Sequence, residues 1–120
     1  MYEVWIALED ACVDNGCLWF VPGSHQEGTS LRLLRKETES GITTVLEGQK
    51  PQNKPEEFIA TPVKKGDLIL IHGDVVHKSE QNQSDRSRNI YTFHLFDTAS
   101  ATWSPQNWLQ PTEEPFTLLY

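Results

Sequence analysis

The chain of 120 residues has the size of one domain, and its 38% apolar and 22% charged residues can fill and solvate a core. No uninterrupted apolar run exceeds five residues, whereas a membrane helix needs about 20, so no membrane span is expected. The net charge of −7 disfavours nucleic acid and anionic membranes as partners. Cys12 and Cys17 are too few for a disulfide scaffold. We therefore expect a reduced, cytoplasmic setting.

Two strands are predicted near the start of the chain. Residues 2–9 alternate between apolar and other side chains with the period of two that is typical of a strand. A strand at the very beginning needs a neighbour, so we expect part of the fold to lie upstream of Met1. The Asp-Asn-Gly sequence at 14–16 predicts a turn. It is followed by a buried strand over 17–21, which Pro-Gly-Ser-His at 22–25 ends.

The middle of the chain gives weaker signals. Residues 31–36 fit either a short helix or an edge strand, because their periodicity favours neither. Residues 37–57 are polar and rich in Glu, Gln, Thr and Pro, which predicts a long surface loop. We expect this loop to cover the mouth of a site.

Three further segments complete the predicted elements. Residues 58–63 form a short strand, 68–71 a buried strand, and 89–96 a strand with alternating side chains. The tail from Asp97 is expected to be irregular. Many short strands with Gly, Asn and Asp turns, and almost no helix, predict an antiparallel sandwich or jelly roll.

His77 is the first residue that could carry chemistry. It follows the 68–71 strand and a Gly-Asp kink. A histidine at the mouth of a strand suits a metal ligand or a base. It also suits a structural histidine that is hydrogen-bonded at a strand end, and its position alone favours this second interpretation.

Arg88 lies at the start of the next strand. Strand parity places it on the same face as Ile90, Thr92 and His94. An arginine on such a face needs an anionic partner, and a carboxylate bound through two hydrogen bonds is the best one. The alternative is a structural ion pair with an Asp or Glu. Arg86, two residues earlier, is expected to be solvated.

A His-X-Asp pair occurs at His72 and Asp74, and two such ligands are part of a two-histidine, one-carboxylate iron site. A third ligand for that pair could be His94, but it lies only 20 residues after Asp74, which is too close for the distal ligand in a jelly roll. We interpret His72 and Asp74 as strand-end and turn residues, and His25 as part of a turn. The acidic residues Glu9, Asp10 and Asp14 could do acid-base chemistry, but they lie at a strand end and a turn and are interpreted as solvated.

Taken together, four segments resemble the phytanoyl-CoA dioxygenase family: residues 5–10, 15–18 and 22–25, and His77 followed by Arg88. The resemblance extends over nearly all of the chain. It implies a mostly β fold, the double-stranded β-helix, which is a cupin-like jelly roll. It also implies Fe(II) as cofactor and 2-oxoglutarate as co-substrate. Family members convert 2-oxoglutarate to succinate and carbon dioxide and use dioxygen to hydroxylate a C–H bond of a small-molecule substrate.

The resemblance also implies roles for four residues. His77 matches the distal iron ligand, and Arg88 matches the arginine that pairs with the far carboxylate of 2-oxoglutarate. Ser79 matches a hydroxyl donor to that carboxylate, and Trp5 matches a tryptophan that lines the cofactor pocket. A dianion needs a local cation in an otherwise acidic protein, which agrees with the role of Arg88.

One departure from the family is serious. The family's His-X-Asp ligand pair lies upstream of the strand that holds Trp5, and this sequence starts after that point. Residues 1–120 are therefore expected to form the C-terminal part of the barrel, incomplete on its N-terminal side and inactive alone. Three hypotheses remain: the cofactor-binding part of a dioxygenase, a non-catalytic binding module, and a cupin-like structural domain.

Overall fold

The computed structural model describes residues 1–119, and these form antiparallel β-strands with almost no helix, as the sequence predicts. The described residues contain short 3-10 turns at Ser24–Glu27 and Pro55–Glu57, and none of their helices is long and apolar enough to cross a membrane. The strands are β1 (Tyr2–Ala7), β2 (Leu18–Phe20), β3 (Leu31–Thr38), β4 (Gly41–Gly48), β5 (Ile59–Thr61), β6 (Leu68–His72), β7 (His77–Ser79) and β8 (Ile90–Leu95).

The opening strand β1 is the centre of a three-stranded sheet with the order β6-β1-β8. Trp5 lies opposite Ile69 of β6 on one side and opposite Thr92 of β8 on the other. The strand's need for neighbours is therefore met by strands from later in the chain, and it gives no support to an upstream part of the fold, which stays a prediction from the family resemblance. A period of two shows that a segment is a strand with two faces, but it does not show which strands pair with it.

A second three-stranded sheet has the order β5-β2-β7. Its register places Phe20 opposite His77 and Leu18 opposite Ser79. Leu18 and Cys17 join Trp5 and residues of the first sheet in one cluster of buried side chains. The core therefore lies between the two sheets, and the residues of β7 are held against it by β2.

The described chain divides into two compact units. The first combines Met1–Thr29 with Pro51–Asp97 and contains both three-stranded sheets. The second combines Ser30–Lys50 with the segment from Thr98, and in it β3 and β4 form a hairpin. Residues 98–119 contain no strand, in agreement with the predicted irregular tail.

The hairpin settles two assignments in the middle of the chain. Residues 31–36 are strand rather than helix, and the predicted loop over 37–57 is wrong because it contains β4. The apolar residues of β4 (Ile42, Val45 and Leu46) do not alternate, so the period-two signal is missing. That this stretch covers a site stays a prediction.

The positions of two isoleucines relative to the core predict that their truncation changes stability by different amounts. Ile71 on β6 is 2% exposed, whereas Ile59 on β5 is 58% exposed. Ile71→Ala should lower the free energy of unfolding by about 2–5 kcal/mol, because it removes buried methyl groups and leaves a cavity. Ile59→Ala should change it by about 0.5 kcal/mol or less. Urea denaturation of both variants measures this, and equal losses would contradict the described core.

Candidate functional site

Arg88, Ser79 and Trp5 lie together at the edge of the core. The guanidinium carbon of Arg88 lies 5.8 Å from the centre of the Trp5 ring. Arg88 Nη2 donates a hydrogen bond to Ser79 Oγ at 3.3 Å, and Ser79 Oγ donates to the backbone carbonyl of Gly16 at 2.9 Å. Trp5 is only 3% exposed, whereas Arg88 is half-buried. The structure thus places three of the four predicted site residues in one group.

His77 lies on β7, two residues before Ser79 and therefore on the same face of the strand. Its side chain is exposed, and its ring lies 5.8 Å from the ring of Phe20. Its Nδ1 lies 3.0 Å from the carbonyl oxygen of Val75. Because a carbonyl only accepts, Nδ1 carries a proton, and in the neutral tautomer with this bond the lone pair lies on Nε2. The residue therefore suits a metal ligand whose orientation is fixed by a backbone carbonyl.

Among residues 1–119, no group of three or more His, Cys, Asp and Glu side chains is arranged to hold a metal ion. His72 Nδ1 accepts a hydrogen bond from the backbone N–H of Asp74 at 3.2 Å, while Thr29 donates to the Asp74 carboxylate. These contacts agree with the interpretation of His72 and Asp74 as strand-end and turn residues. His94 lies 3.8 Å from Glu3. The described residues therefore fit one ligand of an iron site but not a complete set.

Glu9 bonds the residues on both sides of Arg88. Its carboxylate accepts hydrogen bonds from Ser87 Oγ at 2.8 and 2.9 Å and from the backbone N–H of Asn89 at 2.8 Å. These bonds, that from Asn89 above all, lower the pKa of Glu9. This role was not predicted, because a glutamate that follows a strand resembles an ordinary solvated residue.

The turn at Asn15-Gly16 also holds the segment that carries Arg88. Asn15 is 2% exposed, and its amide donates to the carbonyls of Asp10 at 2.8 Å and Ser87 at 3.3 Å. Gly16 has φ +94°, and a Cβ there would lie 2.9 Å from the carbonyl oxygen of Glu80. Glycine is therefore required both by the backbone conformation at this position and by the close approach of the turn to Glu80. The Asn-Gly pair predicted a turn but not its contact with the segment that carries Arg88.

Arg86 does not share the position of Arg88. Its Nη2 bonds both carboxylate oxygens of Asp14, at 2.8 and 3.1 Å, and it is exposed. Asp10 is also paired, with Lys64 at 2.9 Å. Asp14 is exposed and Asp10 is half-buried, yet both are bound to partners, so they connect the 10–16 loop to neighbouring segments.

The profile described as Phytanoyl-CoA dioxygenase (PhyH) matches residues 1–90 of the chain. The chain is 56% identical over 118 residues to phytanoyl-CoA dioxygenase domain-containing protein 1 of Rattus norvegicus and 58% identical to that of Bos taurus, in each case over 98% of this chain and 40% of the relative. The Caenorhabditis elegans homolog is 48% identical over 92% of this chain and 39% of its own length.

These similarities show that the chain belongs to the phytanoyl-CoA dioxygenase family, a group of Fe(II)- and 2-oxoglutarate-dependent oxygenases. The chain spans about two fifths of the length of these curated relatives. The family resemblance predicted from the motifs is therefore confirmed. The roles of His77, Arg88, Ser79 and Trp5 stay predictions.

The contacts of Glu9 predict a dependence of stability on pH. Because its pKa in the folded chain lies below the ordinary 4.5, the carboxylate stabilises the fold above that value. This stabilisation is lost as the pH falls through the lowered pKa. Glu9→Gln should therefore destabilise the chain at pH 7, and the difference from the wild type should shrink below pH 4.5.

Urea denaturation at several pH values between neutral and acid measures this difference. Glu47→Gln, at an exposed position on β4, is the matched control and should follow the wild type at each pH. A constant difference between Glu9→Gln and the wild type across the range would contradict the role given to the Glu9 carboxylate.

Proposed function

We propose that residues 1–120 form the 2-oxoglutarate-binding part of an Fe(II)-dependent dioxygenase with the double-stranded β-helix fold of its family. The observation that supports this most is the group formed by Arg88, Ser79 and Trp5. The group combines an apolar wall (Trp5), a hydroxyl (Ser79) and a cation (Arg88). These are the residues that the family resemblance assigns to the cofactor pocket.

Arg88 suits a carboxylate ligand. Among residues 1–119 it forms no ion pair, although the chain has 17 Asp and Glu residues. A guanidinium group has five N–H donors, and the described bond to Ser79 uses one of them. A carboxylate would accept two of the remaining donors in parallel, in a place where the ring of Trp5 limits access of water. The far carboxylate of 2-oxoglutarate is the ligand that the family provides for this position.

Ser79 would contribute a second donor. Its hydroxyl now donates to the carbonyl of Gly16 and accepts from Arg88. To donate to the ligand, the hydroxyl proton must turn away from Gly16, a rotation with a low barrier. The bound carboxylate would then be held by Arg88 from one side and by Ser79 from another, which fixes its orientation as well as its position.

His77 would bind the iron through Nε2, with its ring oriented by the carbonyl of Val75. The other ligands would come from polypeptide outside the described residues. Iron and 2-oxoglutarate, when bound, would supply the dioxygen activation that is needed to hydroxylate a C–H bond of a small-molecule substrate. The role of this chain would be to hold one metal ligand and the co-substrate in fixed relative positions. His77 and Ser79, which lie on the same face of β7, would provide this.

A second candidate is a binding module without turnover. It is favoured by the lack of a three-ligand group among residues 1–119. In such a module Arg88 and Ser79 would still bind a dicarboxylate, but no metal would be held. Binding of 2-oxoglutarate and its turnover must therefore be measured separately.

The purified chain alone should not convert 2-oxoglutarate. One imidazole does not hold iron against water and buffer, because affinity comes from several ligands fixed together. The measurement is succinate formation with Fe(II), ascorbate and dioxygen, compared with an iron-only control. A full-length family member that turns over 2-oxoglutarate is the positive control. Succinate above the iron-only level would contradict this prediction and would make His72 and Asp74 candidate ligands again.

Arg88 should control 2-oxoglutarate affinity in a longer chain that joins residues 1–120 to the unmatched part of the rat relative. Arg88→Gln removes a charge-assisted contact worth about 2–5 kcal/mol, which corresponds to a loss of roughly 30-fold to several thousand-fold in affinity. Iron affinity should change little. His77→Ala should lose iron first. Titrations of iron and of 2-oxoglutarate with each variant measure both effects.

Arg86→Gln is the matched control, since it makes the same substitution two residues away. Arg86 is bound to Asp14 and not to Ser79, so its loss should leave both affinities within about twofold of the wild type. If Arg86→Gln weakens 2-oxoglutarate and Arg88→Gln does not, the assignment of the two arginines is wrong, and the role of Ser79 must be revised too.

A further inference from the structure

The first sheet has an apolar face on the side away from the core. On β1, Trp5 and Ala7 belong to the core cluster, so Tyr2, Val4 and Ile6 point to the opposite side. The strand register places residues of β6 and β8 beside each of these three, on the same side of the sheet. We call this surface the outer face; its residues are Tyr2, Val4, Ile6, Leu68, Leu70, His72, Tyr91, Phe93 and Leu95.

The outer face is mainly apolar, and it is exposed around a buried centre: Val4 on β1 is 5% exposed, whereas the residues that flank it on β6 and β8 are exposed. Leu70 and Tyr91 are each 58% exposed, and Leu68 is 56% exposed. Tyr2 and Phe93 are also exposed. A single exposed apolar side chain is ordinary in a folded protein, but a continuous patch across three strands marks a surface that binds a partner.

A second copy of the chain is the alternative occupant of this face. The outer face measures about 14 Å across its three strands and about 20 Å along them, and a stable dimer buries about 800 Å² of accessible surface on each partner. The oligomeric state of the chain tests this alternative.

The length of the relatives indicates a different partner. The matched region is 40% of the rat and bovine proteins, so the larger part of each relative lies outside it. We propose that the outer face is the docking surface for polypeptide equivalent to that unmatched part, which would cover the face with apolar side chains of its own. Such a segment can also extend past the strands β6 and β8, the last strands on either side of the sheet among residues 1–119. This inference does not rest on the proposed chemistry.

The test mixes this chain with the unmatched part of the rat relative, produced as a separate polypeptide. Sedimentation velocity should show a complex with one copy of each. Leu70→Lys and Tyr91→Lys should each weaken it by about tenfold or more, because a charged group would be buried in an apolar contact. Ile59→Lys is the matched control: Ile59 is also 58% exposed, lies on β5 outside the outer face, and should leave the affinity unchanged. Circular dichroism establishes that each variant is folded.

A second measurement covers the case in which the separate polypeptide is insoluble. In a single chain that joins the unmatched part to residues 1–120, Leu70→Cys should react with iodoacetamide at least tenfold more slowly than Ile59→Cys, as read from the labelled peptides. In the 120-residue chain alone the two should react at similar rates, since both positions are equally exposed.

Three results would overturn the proposal. The first is a complex that Leu70→Lys leaves intact or that Ile59→Lys weakens equally. The second is equal labelling of Leu70→Cys and Ile59→Cys in the joined chain. The third is a homodimer of the 120-residue chain that Leu70→Lys dissociates, since this would assign the outer face to a second copy. None of these readouts depends on turnover, so they separate the docking surface from the proposed function.

Discussion

The alternation of side chains along β1 is the constraint on which the rest of the first unit depends. Because successive residues of a strand point to opposite faces, Trp5 and Ala7 are committed to the core, while Tyr2 and Val4 are committed to the outer face. β1 also lies between β6 and β8, so its register fixes both neighbours. A shift by one residue would exchange the two faces, removing the Trp5 ring from beneath Arg88 and exposing the core.

The segment that carries Arg88 is held by bonds that do not involve its side chain. Glu9 bonds the residues on either side of it, and Asn15 bonds the carbonyl of Ser87. The backbone is therefore fixed before any ligand binds, which reduces the ordering cost that a ligand of Arg88 must overcome. Gly16, with its positive φ and its close approach to the carbonyl of Glu80, keeps the 10–16 loop near enough to residues 87–89 for these bonds to form. The 10–16 loop and residues 87–89 therefore hold the proposed binding group in place.

The sequence predicted the strands whose side chains alternate or form short apolar runs, because burial on one face or both produces these patterns directly. It predicted residues 68–71 as a buried strand, but Leu68 and Leu70 are 56% and 58% exposed, so β6 is a strand with only one buried face. It did not predict β4, whose polar and apolar residues do not alternate, nor the pairing of β1 with later strands, since pairing depends on contacts that are distant along the chain. Arg88, Ser79 and Trp5 were singled out through the family resemblance, and the structure brings them together, while their roles stay predictions. Glu9 and Asn15 were missed because their partners lie 72 to 80 residues away.

The two faces of β1 connect the two proposals physically. A segment that docks on the outer face would bury Leu70 and Tyr91, and this burial would stabilise the sheet in which β1 is the central strand. Trp5 is on the opposite face of that same strand, and its ring lies 5.8 Å from the guanidinium carbon of Arg88. Local opening of the sheet would move this ring away from Arg88, and docking would make such opening rarer. Affinity for a dicarboxylate at Arg88 would then rise on docking, although the docked segment need not touch the ligand. The reverse must hold to the same extent, since the coupling of two binding events is reciprocal.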